Sequence, residues 1–514
     1  MSRITITKPA YAPVFAGLGF HNSEAGMYRL ITEKSFNEKI AKCYREISPG
    51  FMRCFFGFSD QTKEVMDDFA DYYERTQKLT DTPIYMTPGR GKLHSSEKDM
   101  ESYADEVAKK LEYLVKERDV KHIAYYCFSN ELSQLTNGAL RKDLPLFRRY
   151  HELLYDAFQR HGLNIGLLAT DAAIDWSSID WAMANMNPIT KDYCGHWYEH
   201  GDAYDTGFYQ SFYERCREYT LKAAEKEKHF ILGEVGVSGA NTAKVGAAVR
   251  DTCTYFDSGD YKGLSLMTAE LIAAAINAGV FAIMSWTFCD YPDPMNGPTF
   301  SDEYSRNYTK YEPFLGGGIN IRYNKWGMLK WEDDGSFTAR PHYFALGNIY
   351  KYLKRNSKIM EVVSDDELVR ACAVMTRGGK LSALVINRSA DEKRIELELP
   401  KRSRFRVFLT DTNNIKTNEC ADLPRYDFTL EDNSLMMLPE SIAVITDDFD
   451  PEERHVECEL IGGDRLAWKP ATDARHSYYR IYDGEKQIGS TVAESFDIRG
   501  GNYRVVSVDR DGEE

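Results

Sequence analysis

Two glutamates stand where a short apolar run gives way to polar sequence: Glu131 closes HIAYYCFSNE, and Glu234 follows HFILG. A carboxylate in such a run is costly to bury without a purpose, because desolvation disfavours its charge. Two carboxyls held face to face can cleave a glycosidic bond: one protonates the leaving oxygen while the other attacks the anomeric carbon. That retaining chemistry needs them about 5–5.5 Å apart. Each glutamate alone is weak, since most Asn-Glu dipeptides cap helices or lie on surfaces. A scaffold must bring them together.

The first 355 residues alternate between short apolar, β-rich runs and long amphipathic segments. The runs are VFAGLGF (14–20), GFMRCFFGF (50–58), PIYMTP (83–88), HIAYYCF (122–128), NIGLLAT (164–170), DYCGHWY (192–198), HFILGEV (229–235) and VFAIMSW (280–286). Between them lie stretches such as SEKDMESYADEVAKKLEYLVKERD, with apolar residues at three and four spacings. Strand–helix alternation implies parallel pairing, because each crossover needs a covering helix. Eight such units fit a closed (β/α)8 TIM barrel, expected over residues 1–357. Active sites of such barrels lie at the carboxyl ends of the strands. Asn130 and Glu131 then stand at the tip of the fourth strand and Glu234 at the tip of the seventh, across the barrel mouth from each other.

Other polar residues share those tips. Arg53 lies in the second strand, His196 and Tyr198 in GHWY after the sixth, and Trp286 in MSWTF after the eighth. His21 and Asn22 after the first strand and Asp171 after the fifth are further pocket candidates. Each has a plainer alternative. Arg53 could pair with an interior acid of the barrel, Trp286 could be ordinary core, and His196 could be satisfied structurally.

FSNE and GEVG, with these four positions, resemble the large clan of retaining (β/α)8-barrel glycosidases whose catalytic glutamates follow strands four and seven. The resemblance covers about residues 10–355, including the tail KWGMLKWEDDGSFTARPHYFALG. It implies a retaining O-glycoside hydrolase with Glu131 as general acid/base and Glu234 as nucleophile. It further implies that Arg53 holds the nucleophile's carboxylate, and that His196 and Tyr198 contact substrate and nucleophile. Trp286 would floor the sugar subsite, and Asn130 would bond the hydroxyl next to the anomeric centre. The length and trailing β-sandwich are similar to the xylosidase/iduronidase and arabinofuranosidase families. TPGRGKLH, after the third strand, matches no signature of theirs. Within it Arg90 and Lys92 could read a carboxylated sugar, although a solvated loop is the commoner use of such residues. Two rivals stand beside hydrolysis: transglycosylation by the same first half-reaction, and a carbohydrate-binding barrel without turnover.

No metal site and no cofactor are expected. Cys194 and His196 alternate in a strand and point the same way, yet no second ligand pair lies at a suitable spacing. GRGKLH and the GGG at 316–318 lack the strand–GxxxxGK[ST]–helix context of a phosphate loop. A formal charge of −15 argues against general nucleic-acid or anionic-membrane binding, leaving carbohydrate as the expected partner. No stretch reaches the roughly 20 apolar residues of a membrane span, and the amino terminus lacks a leader's apolar run. The ten cysteines are scattered singly, without a CxxC pair, as in a reducing compartment. These features predict a cytoplasmic protein acting from the ends of short glycosides. They carry no signal for oligomeric state.

Past the barrel, residues 358–450 turn to short alternating strands (KLSALVINR, KRIELELP, RFRVFLTD), read as an antiparallel β-sandwich. Residues 451–514 resemble a fibronectin type III module that lacks its final strand, either borrowing an edge from its neighbour or cut short. Carrying none of the constellation, this segment is expected to be dispensable for chemistry.

Overall fold

The computed structural model describes the chain except residues 10–12, 23–27, 29–30, 57–61, 89–92, 95, 134–137, 174, 202, 239–262, 295–320, 325–326, 333, 449–453, 462–463, 473–475, 500 and 510–514. Arg90, Lys92 and the GGG at 316–318 lie outside the described residues.

Eight parallel strands close into a barrel. They are β1 (Gly17–His21), β2 (Phe51–Phe55), β3 (Ile84–Thr87), β4 (Ile123–Tyr126), β5 (Gly166–Ala172), β6 (Asp192–His200), β7 (Phe230–Ser238) and β8 (Ala282–Ser285). Each falls within or overlaps one of the eight apolar runs. The runs are continuous rather than alternating because both faces are buried. Inward residues Phe51, Tyr85, Tyr125, Cys127, Leu168, Cys194, Ile231 and Met284 fill the barrel's interior. Outward ones pack on helices such as Glu97–Glu112 and Leu144–Arg160, capped by the Ser96 and Asp143 side chains. Helix Leu264–Asn277 is mostly apolar, and Ser265 through Ile276 are all buried, which suits an element enclosed between barrel and β domain.

The sandwich draws strands from both ends of the barrel sequence. Ser2–Thr7 runs antiparallel to Glu361–Ser364 and parallel to Lys393–Glu398, so that sheet is not purely antiparallel. Val14–Phe15 joins the facing sheet through Ser357–Ile359. The cause is legible in ITIT: alternation puts Ile4 and Ile6 into the sandwich core beside Val385 and Ile395.

Among its described residues the last segment forms seven strands, in sheets of four and three. The segment's own Arg454–Val456 pairs antiparallel with Tyr503–Asp509 at one edge of the larger sheet.

Barrel, sandwich and last module meet on a buried charge cluster. Glu46 accepts hydrogen bonds from Lys42 Nζ (2.8 Å), the Tyr343 hydroxyl (2.9 Å), the Leu423 amide (3.0 Å) and the Tyr478 hydroxyl (3.0 Å). Lys42 also meets Asp422 at 2.6 Å, and Asp422 in turn pairs with Arg480 at 3.3 Å. Two cations and two anions balance, as buried charges must. None of the nine described cysteines forms a disulfide. No helix among the described residues is long and apolar enough to cross a membrane.

Candidate active site

The barrel brings Arg53, Asn130, Glu131, Asp171, His196, Tyr198 and Glu234 to one mouth. His196 and Glu234 are register partners on β6 and β7. Arg53 projects inward one layer above Phe51, because alternate residues of a strand share a face.

Arg53 is fully buried and lies at the centre. Its Nη1 donates to Glu234 Oε1 at 2.7 Å, and its Nη2 to Asp171 Oδ2 at 2.9 Å and to Asn130 Oδ1. Both readings of Arg53 therefore hold: it pairs with an interior acid and it grips Glu234. Nη1 also lies 3.0 Å from His21 Nδ1. A guanidinium only donates, so Nδ1 accepts and the His21 proton sits on Nε2. Burial, with Arg53 and His196 adding to it, lowers the His21 pKa well below its usual value and keeps the ring neutral.

Glu234 is held from its other side by the Tyr198 hydroxyl, which donates to Oε2 at 2.5 Å. Burial pushes the Glu234 carboxyl up from its ordinary range, against His196, Arg53 and the Tyr198 bond, which pull it down. Glu131 is more open, with 22% of its side chain exposed against 5% for Glu234. The facing oxygens of Glu131 and Glu234 lie within 4.8 Å of each other, and His196 Nδ1 lies within that distance of both.

His196 is satisfied on both nitrogens, so the structural and the site readings coincide. Nε2 lies 2.7 Å from Asp171 Oδ1, while Nδ1 lies 3.5 Å from Glu131 Oε1 and 3.6 Å from Glu234 Oε2. Burial alone would push the ring down. The Asp171 and Glu234 carboxylates and the bonds to Asp171 and Glu131 outweigh it and raise the pKa to about 10. The Trp176 indole fixes the strand there by donating to the His196 carbonyl at 3.1 Å.

Trp286 is not ordinary core. Its partly exposed ring lies 4.3 Å from His21 and 5.7 Å from Phe55, centroid to centroid, forming an aromatic wall. Asn22 turns away: its amide rests on Met52 Sδ, on the outer side of the barrel wall. Phe55 was not singled out in the sequence, where it is one of three aromatics in RCFFGF.

Asp171, one of several pocket candidates in the sequence, proves to be the residue that ties the others together. It is fully buried, and besides Arg53 and His196 it takes the Cys194 thiol at 3.1 Å. Only the fold could reveal this. Register slips in β5 between Thr170 and Ala172 and in β6 between Gly195 and His196, and bulges of this kind re-aim side chains. Asp171 (φ 54°) and Glu131 (φ 52°) both sit in left-handed backbone, a conformation that costs about 1–3 kcal/mol and clusters at functional sites.

Gly233 makes the close packing possible. A Cβ there would come within 2.6 Å of Cys194 Sγ, 2.9 Å of Asp171 Oδ1 and 3.0 Å of His196 Nε2. Gly233→Ala should therefore displace the Asp171–His196 pair and cost about 1–3 kcal/mol by overpacking. A loss of activity larger than the fall in Tm would locate the damage in the site. Unchanged activity and Tm would show that the pair has room to move.

The chain thus joins a closed (β/α)8 barrel, facing carboxyls beyond β4 and on β7, and a trailing β domain. No family model matches the chain, and no curated protein matches it by sequence. Solved structures do. A conserved exported protein from Bacteroides fragilis matches with a TM-score of 0.60 at 12% identity, over 86% of this chain and 99% of its own. The catalytic domain of a GH30 xylanase from Talaromyces cellulolyticus matches with a TM-score of 0.56 at 13% identity, over 86% and 99%. A family 51 α-L-arabinofuranosidase from Bifidobacterium longum gives 0.56 at 11% identity, over 87% and 99%. The likeness is one of fold, barrel and trailing β domain together.

Proposed function

We propose that the chain is a retaining O-glycoside hydrolase. The approach of the Glu131 and Glu234 oxygens to within 4.8 Å carries the reading. It suits direct attack by one carboxylate; a separation of roughly 6.5–9.5 Å would leave room for the water of an inverting mechanism. In the first half-reaction Glu234 attacks the anomeric carbon, the C–O bond to the leaving group breaks, and the Glu131 proton goes to that oxygen. In the second, water attacks the same carbon, gives its proton to Glu131 and releases the Glu234 carboxylate. The Asn130 amide donates to the neighbouring sugar hydroxyl, a bond that strengthens as positive charge develops. Trp286, His21 and Phe55 provide the apolar floor. We place the enzyme in the cytoplasm, since the absence of disulfides among the described cysteines suits a reducing compartment.

A panel of nitrophenyl glycosides tests the reading, with the anomer of the first-formed product followed by NMR. Turnover with retention supports it, inversion overturns the mechanism, and no turnover of any member points to a binding protein. Single sugars released from an oligosaccharide identify exo action, and products lengthened by an added acceptor identify transglycosylation.

The pH dependence follows from the same roles. Activity needs Glu234 ionised and Glu131 protonated, so kcat/KM should be bell-shaped. Burial raises the pKa of Glu234, so as pH falls its charge is lost earlier than for an ordinary carboxyl near about 4.3. The acid limb should lie above that value. The basic limb should vanish in Glu131→Gln, and a wild-type profile flat from about pH 4 to about pH 9 would contradict both assignments.

A further inference from the structure

We propose that Asp171 is a positioning residue: buried beneath the two glutamates, it holds His196 as a doubly protonated imidazolium whose Nδ1–H faces both, so that one fixed cation serves each half-reaction in turn. The proposal rests on the glycosidase reading and adds a residue and a charge state to it.

The geometry carries the argument. Asp171 has no exposed side-chain surface, so its effect must pass through its neighbours. Its Oδ1 takes the His196 Nε2 proton at 2.7 Å, which commits that nitrogen as a donor. The other ring nitrogen then lies between two carboxyls, 3.5 Å from Glu131 and 3.6 Å from Glu234. A neutral ring with a bare Nδ1 lone pair would face the ionised Glu234 oxygen repulsively, whereas an N–H suits Glu234 and, once Glu131 has given up its proton, Glu131 as well.

During the proposed reaction one negative charge moves. It starts on Glu234, disappears there as the ester forms, and reappears on Glu131 when that residue gives up its proton. A donor nearly equidistant from both can follow the charge without moving, which is electrostatic preorganisation. Asp171 and Glu234 balance Arg53 and His196 at the outset, so no unpaired charge is buried. The charged and titratable groups facing His196 are Glu131 on the β4 tip, Asp171 on β5, Glu234 on β7, Arg53 on β2 and His21 on β1. Cys194 and Tyr198 flank it on its own strand. The carboxylates outnumber the single guanidinium, and they hold the ring's proton to well above neutral pH.

The test reads the ring directly. In wild-type protein labelled with nitrogen-15 at histidine, the His196 signals are assigned by their loss in His196→Gln. Both ring nitrogens should report N–H with no titration from about pH 5 to about pH 8, although an unperturbed histidine titrates near 6.5. In Asp171→Asn the same ring should begin to titrate within that range, because burial is then opposed by Glu234 and the Glu131 bond without the Asp171 carboxylate. That variant should lose about 100-fold in kcat with KM little changed, and Asp171→Glu should recover part of the loss. A wild-type His196 that is neutral at pH 7 overturns the proposal, even if Asp171→Asn fails to fold. So does an Asn variant whose ring stays charged. A charged ring in a protein that turns over no glycoside would instead count against the glycosidase reading alone.

Discussion

Glu234→Gly should halt turnover, and azide should restart it with the opposite stereochemistry. The variant removes the proposed attacking carboxylate and opens a space beside Arg53 and Tyr198, whose donors formerly held the Glu234 oxygens at 2.7 and 2.5 Å. A small anion entering that space attacks the anomeric carbon directly and yields a glycosyl azide of inverted configuration. Glu131→Ala should behave differently. It loses proton donation, so substrates with poor leaving groups should slow by roughly 100- to 10,000-fold, while activated aryl glycosides still form the ester. Azide, entering from the side Glu131 had served, then gives a product of retained configuration. Exchanged rescue patterns would swap the two roles. Near-wild-type activity of both variants on a natural substrate would move the site elsewhere.

The largest loss of stability is expected from Glu46→Leu, far in sequence from Glu131 and Glu234. Glu46 receives four donors contributed by the barrel, the sandwich and the last module, and it is 2% exposed. Removing its charge leaves Asp422 as the one carboxylate on Lys42 and takes the acceptor from the Tyr343 and Tyr478 hydroxyls and the Leu423 amide. Breaking a buried pair in this way costs about 3–5 kcal/mol. The double variant Lys42→Met/Glu46→Leu should be less destabilised than Glu46→Leu, because it leaves no unmatched ammonium and Asp422 keeps Arg480. Urea denaturation measures both, and equal losses would show that the charge on Lys42 is immaterial. kcat of the folded fraction should not change in either. The same cluster qualifies the dispensability of residues 451–514. Turnover of a small glycoside should survive their deletion within a few fold, but losing Tyr478 and Arg480 from the junction should make the shortened chain melt lower.

The eight barrel strands were readable from sequence because strands buried on both faces must be apolar throughout, and that pattern is local. Glu131 and Glu234 stood out against it for the same reason: a carboxyl at the end of an apolar run is an exception that local composition exposes. Arg53, His196, Tyr198 and Trp286 were singled out by the resemblance to the barrel glycosidases. What sequence could not show was which of several tip residues bind one another. Asp171 and Asn22 looked alike as candidates. A bulge turns Asp171 inward onto Arg53 and His196, while Asn22 faces outward onto Met52. The sandwich's use of Ser2–Thr7 and the Glu46 junction were hidden likewise, since each joins residues more than 350 positions apart. Apolar periodicity is a property of neighbours along the chain. Hydrogen-bond partnership between buried polar groups is set by strand register and by the close approach that Gly233 allows, and only the folded chain decides those.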